Sequence, residues 1–237
     1  MNQPVTGTRR SDTYALRENG LADEREPGRE LISSERVWNG PIFAVDADHV
    51  RLAPGQEPVA RQVVVHHDAV AVVALREGQD SSQADGAPEI LMVRQYRHPV
   101  RACLWEIPAG LLDVPGEEPA VAAARELAEE TDYTATTWNT LAEFYASPGF
   151  TTEGARILLA QDLSLLPEDQ RTPREAEEAE FVPTWVLLDE AIDAVMDGRL
   201  HNPSTVLGIL ATAQARARGW VGLRPADAPW LRSPESL

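Results

Sequence analysis

The segment AGLLDVPGEEPAVAAARELAEETDY, from Ala109 to Tyr133, constrains the fold of this 237-residue chain more than any other. Pro115-Gly116 is typical of a type II turn, in which glycine takes the positive φ. Pro119 suits the first turn of a helix, where its missing amide hydrogen costs no hydrogen bond. The segment therefore predicts a tight turn followed at once by a helix that ends near Asp132.

Three glutamates lie close together on this helix. At about 100° per residue, with Glu126 at zero, Glu129 lies at about −60° and Glu130 at about +40°. An apolar set falls on the other side of the helix and is predicted to pack against the core, leaving the carboxylates presented on the opposite face. This set consists of Val121, Ala124, Leu127 and Ala128.

Two interpretations of the acidic face stay open from the helix alone. Like charges at this spacing repel by roughly 0.2–0.5 kcal/mol per pair, which a solvated acidic face tolerates. Alternatively, clustered carboxylates near a backbone carbonyl are hard-oxygen ligands that suit Mg²⁺ or Mn²⁺. A second acidic group in a later loop favours the metal site, and it consists of Glu175, Glu177, Glu178 and Glu180.

The segment closely resembles the Nudix box, G-x5-E-x7-R-E-U-x-E-E-x-G-U, in which U is a bulky aliphatic residue. Gly110 opens it as a turn residue, Glu117 follows, and Arg125 begins the run RELAEE. Six residues instead of five separate Gly110 from Glu117. Asp132 replaces the last glycine, in a left-handed position that aspartate tolerates, and Tyr133 replaces the closing aliphatic residue. The two larger departures, the extra residue and Asp132, leave the expected metal ligands in place.

The resemblance extends to a subgroup, the ADP-ribose pyrophosphatases. VRQYRHPVRACLWEIPAGLLDVPGE and SPGFTTE look like the matching segments of that subgroup, and Pro148 lies fifteen residues beyond Tyr133, as its typical proline does. The similarity runs from about Ser34 to about Ala215 and is closest to actinobacterial forms. It implies an α+β Nudix fold, a mixed β-sheet sandwiched between helices (α/β/α), with a small N-terminal β lobe.

The resemblance also implies a reaction, the metal-dependent hydrolysis of the diphosphate bond of ADP-ribose to AMP and ribose 5-phosphate. Mg²⁺ is the expected cofactor, with Mn²⁺ as the alternative. The implied metal ligands are Glu126, Glu130 and the carbonyl of Ala109, with Glu129 bridging or assisting in catalysis. Arg125 is expected to orient a carboxylate.

A loop glutamate is expected to position the attacking water, as in similar enzymes. Counting back from the strand FVPTWV indicates Glu177, with Glu178 as the second choice. The alternative is that this acidic loop is simply solvated.

Four further residues are candidate substrate contacts: Arg61, Arg97, Glu106 and Glu153. Arginine offers bidentate donors to phosphate, although pairing on a strand surface is nearly as plausible for both arginines. The two glutamates are candidates for ribose or a metal-bound water, with a solvated strand end as the alternative. Trp105 and Phe150 could stack on adenine, but core packing is the preferred prediction for each.

Strand and helix signals organise the rest of the chain. AVAVVAL predicts a strand buried on both faces, and CLWEIPAG predicts another, ended by Pro108 and Gly110. Asn202 and Pro203 predict a capped helix start. The predicted regions are a mobile tail (residues 1–32), a β lobe (33–66), the Nudix domain (67–218) and a C-terminal tail (219–237). By resemblance the lobe crosses to a second copy, so a homodimer is expected.

Charge and composition limit the class of protein. The net charge of −17 argues against nucleic-acid binding, which needs a basic face. The sequence has no run near the roughly 18 apolar residues of a membrane span. A single cysteine, Cys103, predicts no internal disulfide and is consistent with the cytoplasm.

Two rival functions remain from the sequence. One is hydrolysis of another nucleoside diphosphate derivative, such as a GDP-sugar or a dinucleotide. The other is a catalytically silent module that senses ADP-ribose, which predicts eroded box carboxylates. Glu126, Glu129 and Glu130 are intact, and this favours the enzyme.

Overall fold

The structure is a computed structural model that describes residues 21–24, 29–78, 86–173 and 182–232. Its strands are β1 Glu30–Asn39, β2 Phe43–Arg51, β3 Val59–His66, β4 Ala69–Arg76, β5 Glu89–Arg97, β6 Ala102–Glu106, β7 Ala109–Leu111, β8 Tyr133–Tyr145, β9 Gly154–Leu165, β10 Thr184–Leu187 and β11 Arg224–Pro225. Its helices are α1 Pro119–Thr131, α2 Leu188–Met196 and α3 Pro203–Ala217.

Within these ranges the strands form two sheets. β1, β2 and β3 make an antiparallel sheet in chain order. The other strands make a mixed sheet in the order β10-β5-β4-β9-β8-β11, with β6 added to β5 and β7 added to β4. β4 and β9 are parallel, with Ala69 opposite Ala155, whereas the other pairs in this sheet are antiparallel.

β4 separates the two layers of the hydrophobic core. Val70, Val72 and Ala74 pack on one face of the mixed sheet with residues of α1, among them Leu127. The alternate residues pack on the other face with α2 and α3, and they are Ala71, Val73 and Leu75. Both faces of β4 are therefore buried, as AVAVVAL predicts. The α+β fold with a mixed sheet between helices is confirmed.

The local signals around the helices are also confirmed. The Glu117 amide donates to the Val114 carbonyl at 3.1 Å, and Gly116 has a φ of +77°, as the predicted turn requires. Asp132 ends α1 with a left-handed φ of 63°. The Asn202 side chain accepts from the amide of Thr205 at 3.0 Å and caps α3.

The predicted strand CLWEIPAG is wrong in its bounds. β6 ends at Glu106, and β7 is a separate strand that contains Gly110. Between them the chain changes partner, because the Pro108 carbonyl accepts from Val72 on β4 while β6 pairs with β5.

The predicted terminal regions also differ from the structure. β1 begins at Glu30, inside the predicted tail, and residues 1–20 lie outside the described residues. The region predicted as a C-terminal tail contains β11, and Ala228 beyond it is buried. None of the described helices is both long and apolar enough to cross a membrane.

Candidate active site

Two of the three glutamates of α1 lie on its packed side. Glu126 and Glu130 are only 8% and 6% exposed, whereas Val121 is 58% exposed. The prediction that Val121 packs is therefore wrong, and so is the placement of Glu126 and Glu130 opposite the packed face, whereas Leu127 is buried as expected. Glu126 and Glu130 face the short strand β7, which the helical periodicity of α1 alone does not locate. A buried carboxylate is tolerated where polar groups bind it, and β7 and Arg125 supply these groups.

β7 accommodates two of these carboxylates. The Ala109 amide donates to Oε2 of Glu130 at 3.1 Å. A Cβ atom added at Gly110 would lie 1.9 Å from Cδ of Glu126 and 2.0 Å from its Oε1. The interpretation of Gly110 as a turn residue is wrong, because it pairs with Val70 inside β7. Its missing side chain provides the space that the Glu126 carboxylate occupies.

Arg125 donates hydrogen bonds to three carboxylates, those of Glu117, Glu126 and Glu129. Its Nε and Nη2 donate to Glu117 at 3.2 and 3.0 Å in a bidentate pair. Its Nη1 donates to Glu126 at 2.6 Å and to Glu129 at 3.2 Å. The hydrogen bonds from Arg125 hold the pKa of Glu117 below its ordinary value, and Glu117 and Glu126 raise the pKa of Arg125. The pairing of Arg125 with Glu117 was missed, because Glu117 precedes the helix and helical spacing does not relate the two.

The donor set fits a hard divalent cation. Glu117, Glu126, Glu129, Glu130 and Arg125 together carry a formal charge of −3, and carboxylate oxygen is a preferred ligand of Mg²⁺ and Mn²⁺. In the described parts of the chain, no three His, Cys, Asp or Glu side chains are arranged to hold a metal ion. Glu126 and Glu129 bind Arg125, and Glu130 binds the Ala109 amide. The carboxylates must therefore come closer together than they are here to hold a cation jointly.

The pairing of Arg125 with Glu117 predicts a pH-dependent stability. Because the folded pKa of Glu117 is lowered, the pair stabilises the protein fully above the unfolded glutamate value of about 4.3. This stabilisation is lost as the pH falls through the folded pKa. We expect Arg125→Gln to lower the free energy of unfolding by about 2 kcal/mol at pH 7, with the difference from wild type shrinking below about pH 4. Urea unfolding between pH 7 and pH 3.5 measures it.

The matched control is Arg199→Gln, which removes an exposed ion pair with Asp197. Exposed pairs contribute little, so this variant should stay within about 1 kcal/mol of wild type throughout. An Arg125→Gln difference that is unchanged from pH 7 to pH 3.5 would contradict the assignment to Glu117.

Glu106 and Arg97 form a second charged pair beside the box. Nε and Nη2 of Arg97 donate to Oε1 and Oε2 of Glu106 at 2.9 and 2.6 Å. Glu106 is 2% exposed, so the alternative of a solvated strand end is wrong for this residue. Arg97 therefore forms an ion pair with a residue of the neighbouring strand β6, which was its alternative interpretation. Its side chain is 41% exposed.

The segment 150–154 carries Glu153 and joins the N-terminal lobe to the mixed sheet. The Val64 amide of β3 donates to the Phe150 carbonyl at 2.7 Å, and the Thr152 amide donates to the Val64 carbonyl at 3.0 Å. The Thr152 hydroxyl accepts from the His66 amide at 3.0 Å and donates to its carbonyl. The Glu153 carbonyl accepts from the Ala146 amide at 2.9 Å. The backbone around Glu153 is therefore fixed from both sides.

The remaining candidates lie elsewhere. Arg61 lies on β3, where its guanidinium donates to the Ala60 carbonyl at 2.9 Å, so this contact lies within its own lobe. Trp105 and Phe150 are 37% and 54% exposed, so the preferred prediction of core packing is wrong for both. Glu177 and Glu178 lie outside the described residues.

Comparisons with known proteins agree with this architecture. Residues 65–204 match the sequence profile of the NUDIX domain. The chain is 42% identical over 208 residues to the ADP-ribose pyrophosphatase of Mycobacterium tuberculosis, across 88% of this chain and 94% of the relative. It is 37% identical over 181 residues to the ADP-ribose pyrophosphatase of Bacillus subtilis, across 76% and 90%.

A solved structure shows the same fold. The crystal structure of an ADP compounds hydrolase superposes with a TM-score of 0.64 at 20% identity, across 84% of this chain and all of the other. At this identity the likeness concerns the fold alone. The profile match and the extent of the first two similarities show that this chain belongs to the Nudix hydrolase family.

Proposed function

We propose that this protein hydrolyses the diphosphate bond of ADP-ribose and releases AMP and ribose 5-phosphate. The observation that carries the proposal is the 42% identity to an ADP-ribose pyrophosphatase along nearly the full length of that relative. The intact cluster of Glu126, Glu129 and Glu130 beside β7 supports it, because a module that only senses the nucleotide has no need of these carboxylates.

The proposed metal ligands are Glu126, Glu129, Glu130 and the carbonyl of Ala109, with Mg²⁺ as the cation and Mn²⁺ as its substitute. When bound, the cation supplies charge neutralisation for the diphosphate and lowers the pKa of the attacking water. Arg125 keeps Glu129 in place through the ion pair that it already makes.

The other proposed roles concern water and substrate. Glu129 assists catalysis, and Glu177 or Glu178 positions the attacking water. The remaining candidates bind the substrate, and they are Arg61, Arg97, Glu106 and Glu153. Glu106 orients Arg97 through their bidentate pair, and the Arg97 side chain, which is 41% exposed, binds phosphate.

We also propose a cytoplasmic homodimer. Apolar side chains of the N-terminal lobe are exposed in the single chain. The bulkiest of these side chains is that of Trp38, which is 47% exposed. Exposed apolar patches of this kind are typical of protein interfaces. Sedimentation equilibrium of the full chain would give twice the monomer mass, and a monomer at micromolar concentration would rule the dimer out. The cytoplasmic location stays a prediction from the single cysteine.

The function is tested by incubating the purified chain with ADP-ribose and Mg²⁺ and separating the products by chromatography. We expect AMP and ribose 5-phosphate in equal amounts, and no turnover when the metal is chelated. GDP-mannose and a dinucleoside diphosphate are tested separately as alternative substrates. Turnover of GDP-mannose alone would overturn the substrate, and turnover of none of the three would overturn the enzyme.

A further inference from the structure

Asp68 joins three distant segments through its polar atoms. It lies between β3 and β4 and is fully buried. Its Oδ1 accepts from the Gly154 amide at 2.8 Å, and its Oδ2 accepts from Nε of Arg232 at 2.8 Å. Its carbonyl accepts from the Leu112 amide at 2.8 Å. Arg232 is thus the cation that binds a carboxylate buried deep in the protein.

One of these segments adjoins the carboxylate cluster, and another adjoins a proposed substrate contact. Leu112 directly follows β7, the strand whose Ala109 amide binds Glu130. Gly154 directly follows Glu153. A shift of Asp68 therefore moves the backbone next to β7 and the backbone next to Glu153.

The third segment is residues 226–232, here called the C-terminal strap. The buried guanidinium of Arg156 donates to the Ala226 and Ala228 carbonyls at 3.1 and 2.6 Å. The ring of Trp230 lies 5.1 Å from the Arg156 guanidinium and 5.4 Å from that of Arg232, within range of a cation–π interaction. Arg156 of β9 therefore contacts the strap at Ala226, Ala228 and Trp230, and the last described residue, Arg232, reaches Asp68.

Gly154 fits closely beneath this strap. A Cβ atom at Gly154 would lie 3.0 Å from Oδ1 of Asp68 and 3.3 Å from the Trp230 ring. This leaves no room for a side chain at Gly154, and the hydrogen bond from its amide links its backbone to Asp68.

We propose that Arg232 is a positioning residue of the active site, acting through Asp68 on the backbone at Gly154 and Leu112. Its effect on catalysis rests on the proposed function, because it is exerted through Glu153 and β7. A buried carboxylate that loses its cation must find another partner or a proton, and either change moves the groups that it binds. Displacements near 1 Å lower enzymatic rates by about 100-fold, so a partial displacement has a measurable effect.

The test compares Arg232→Met with Arg232→Lys, which keeps the charge. Amide hydrogen exchange by NMR is followed at Gly154 and Leu112, with Val206 of α3 as an internal reference bonded to the Asn202 carbonyl. In Arg232→Met we expect exchange at Gly154 and Leu112 to accelerate at least about tenfold more than at Val206. We expect kcat for ADP-ribose to fall roughly tenfold with KM within about twofold. Arg232→Lys, in contrast, should keep most of the wild-type protection from exchange and most of the wild-type kcat.

Arg199→Met, which removes an exposed arginine outside the strap, is the matched control, and it should behave as wild type does. Equal acceleration at all three amides would show a purely global stabilising role and overturn the proposal. Unchanged exchange at Gly154 and Leu112 would also overturn it, whether or not ADP-ribose is a substrate. Altered exchange with unchanged kcat in an active enzyme would overturn the catalytic part. If Arg232→Met does not fold, Arg232→Gln, which keeps a donor without the charge, gives the same comparison.

Discussion

Replacing Glu130 with glutamine is expected to lower kcat/KM for ADP-ribose by about a thousandfold while leaving the protein folded. Glutamine retains an oxygen that can accept from the Ala109 amide, so the contact between α1 and β7 survives. The negative charge is lost, and with it a proposed ligand of the cation. Charge stabilisation by a metal contributes several kcal/mol, and about 1.4 kcal/mol corresponds to a factor of ten in rate.

Steady-state kinetics with ADP-ribose and Mg²⁺ measures this loss, and calorimetric titration of Mg²⁺ measures weakened metal binding directly. The control is Glu168→Gln, an exposed glutamate far along the chain from α1, which should keep full activity. The melting temperature of Glu130→Gln should stay within about 4 °C of wild type, the shift that about 1 kcal/mol causes in a domain of this size. Retained activity together with unchanged metal affinity would mean that the metal site lies elsewhere.

Replacing Gly110 with alanine is expected to lower kcat/KM by at least about 100-fold, because the added methyl group and the Glu126 carboxylate cannot share the same space. The new Cβ would lie 1.9 Å from Cδ of Glu126, so either the carboxylate or β7 must move. The carboxylate also binds Arg125, and β7 also binds Glu130, so either movement disturbs the cluster. Overpacking of this kind typically costs about 1–3 kcal/mol of stability as well.

Gly149→Ala is the matched control, since a Cβ atom there would meet nothing within 4 Å. Kinetics and urea unfolding of both variants separate steric effects at the site from general effects of glycine replacement. Gly110→Ala with wild-type activity would show that Glu126 has no fixed position relative to β7 in the working enzyme.

Local sequence signals predicted the elements around the site well. The turn at Pro115-Gly116, the left-handed end of α1 at Asp132 and the cap at Asn202 each depend on residues within a few positions of one another. Such short-range preferences act before any tertiary contact forms. The buried strand β4 was equally predictable, because apolar residues on both faces require cover on both faces.

The orientation of α1 was not predictable from its own residues. Helical periodicity places Glu126 and Glu130 on the polar side, yet both are buried against β7. Whether a carboxylate faces solvent or protein depends on which donors a neighbouring element offers, and β7 becomes a neighbour only through its pairing with β4. For the same reason, the sequence alone could not show whether Gly110 makes room for a carboxylate or forms a turn.

Long-range contacts were also beyond prediction. Asp68 and Arg232 are 164 positions apart, and each has an ordinary surface interpretation when the sequence is taken alone. β11 has only two residues, too few for a strand pattern. Trp105 and Phe150 were predicted to be buried because large aromatic residues usually are, but their exposure depends on which strands lie beside them.

The parallel pairing of β4 with β9 has a consequence for how the protein folds. Ala69 and its partner Ala155 are 86 positions apart, and both β7 and α1 lie in the chain between them. A helix of 13 residues is marginal on its own in water, so α1 depends on the closed sheet for its stability. Contacts this distant in sequence form late, because the entropy of closing the intervening chain is lost first. During synthesis the three glutamates of α1 therefore emerge before β9, and we expect the helix that carries them to become stable only once β9 pairs with β4.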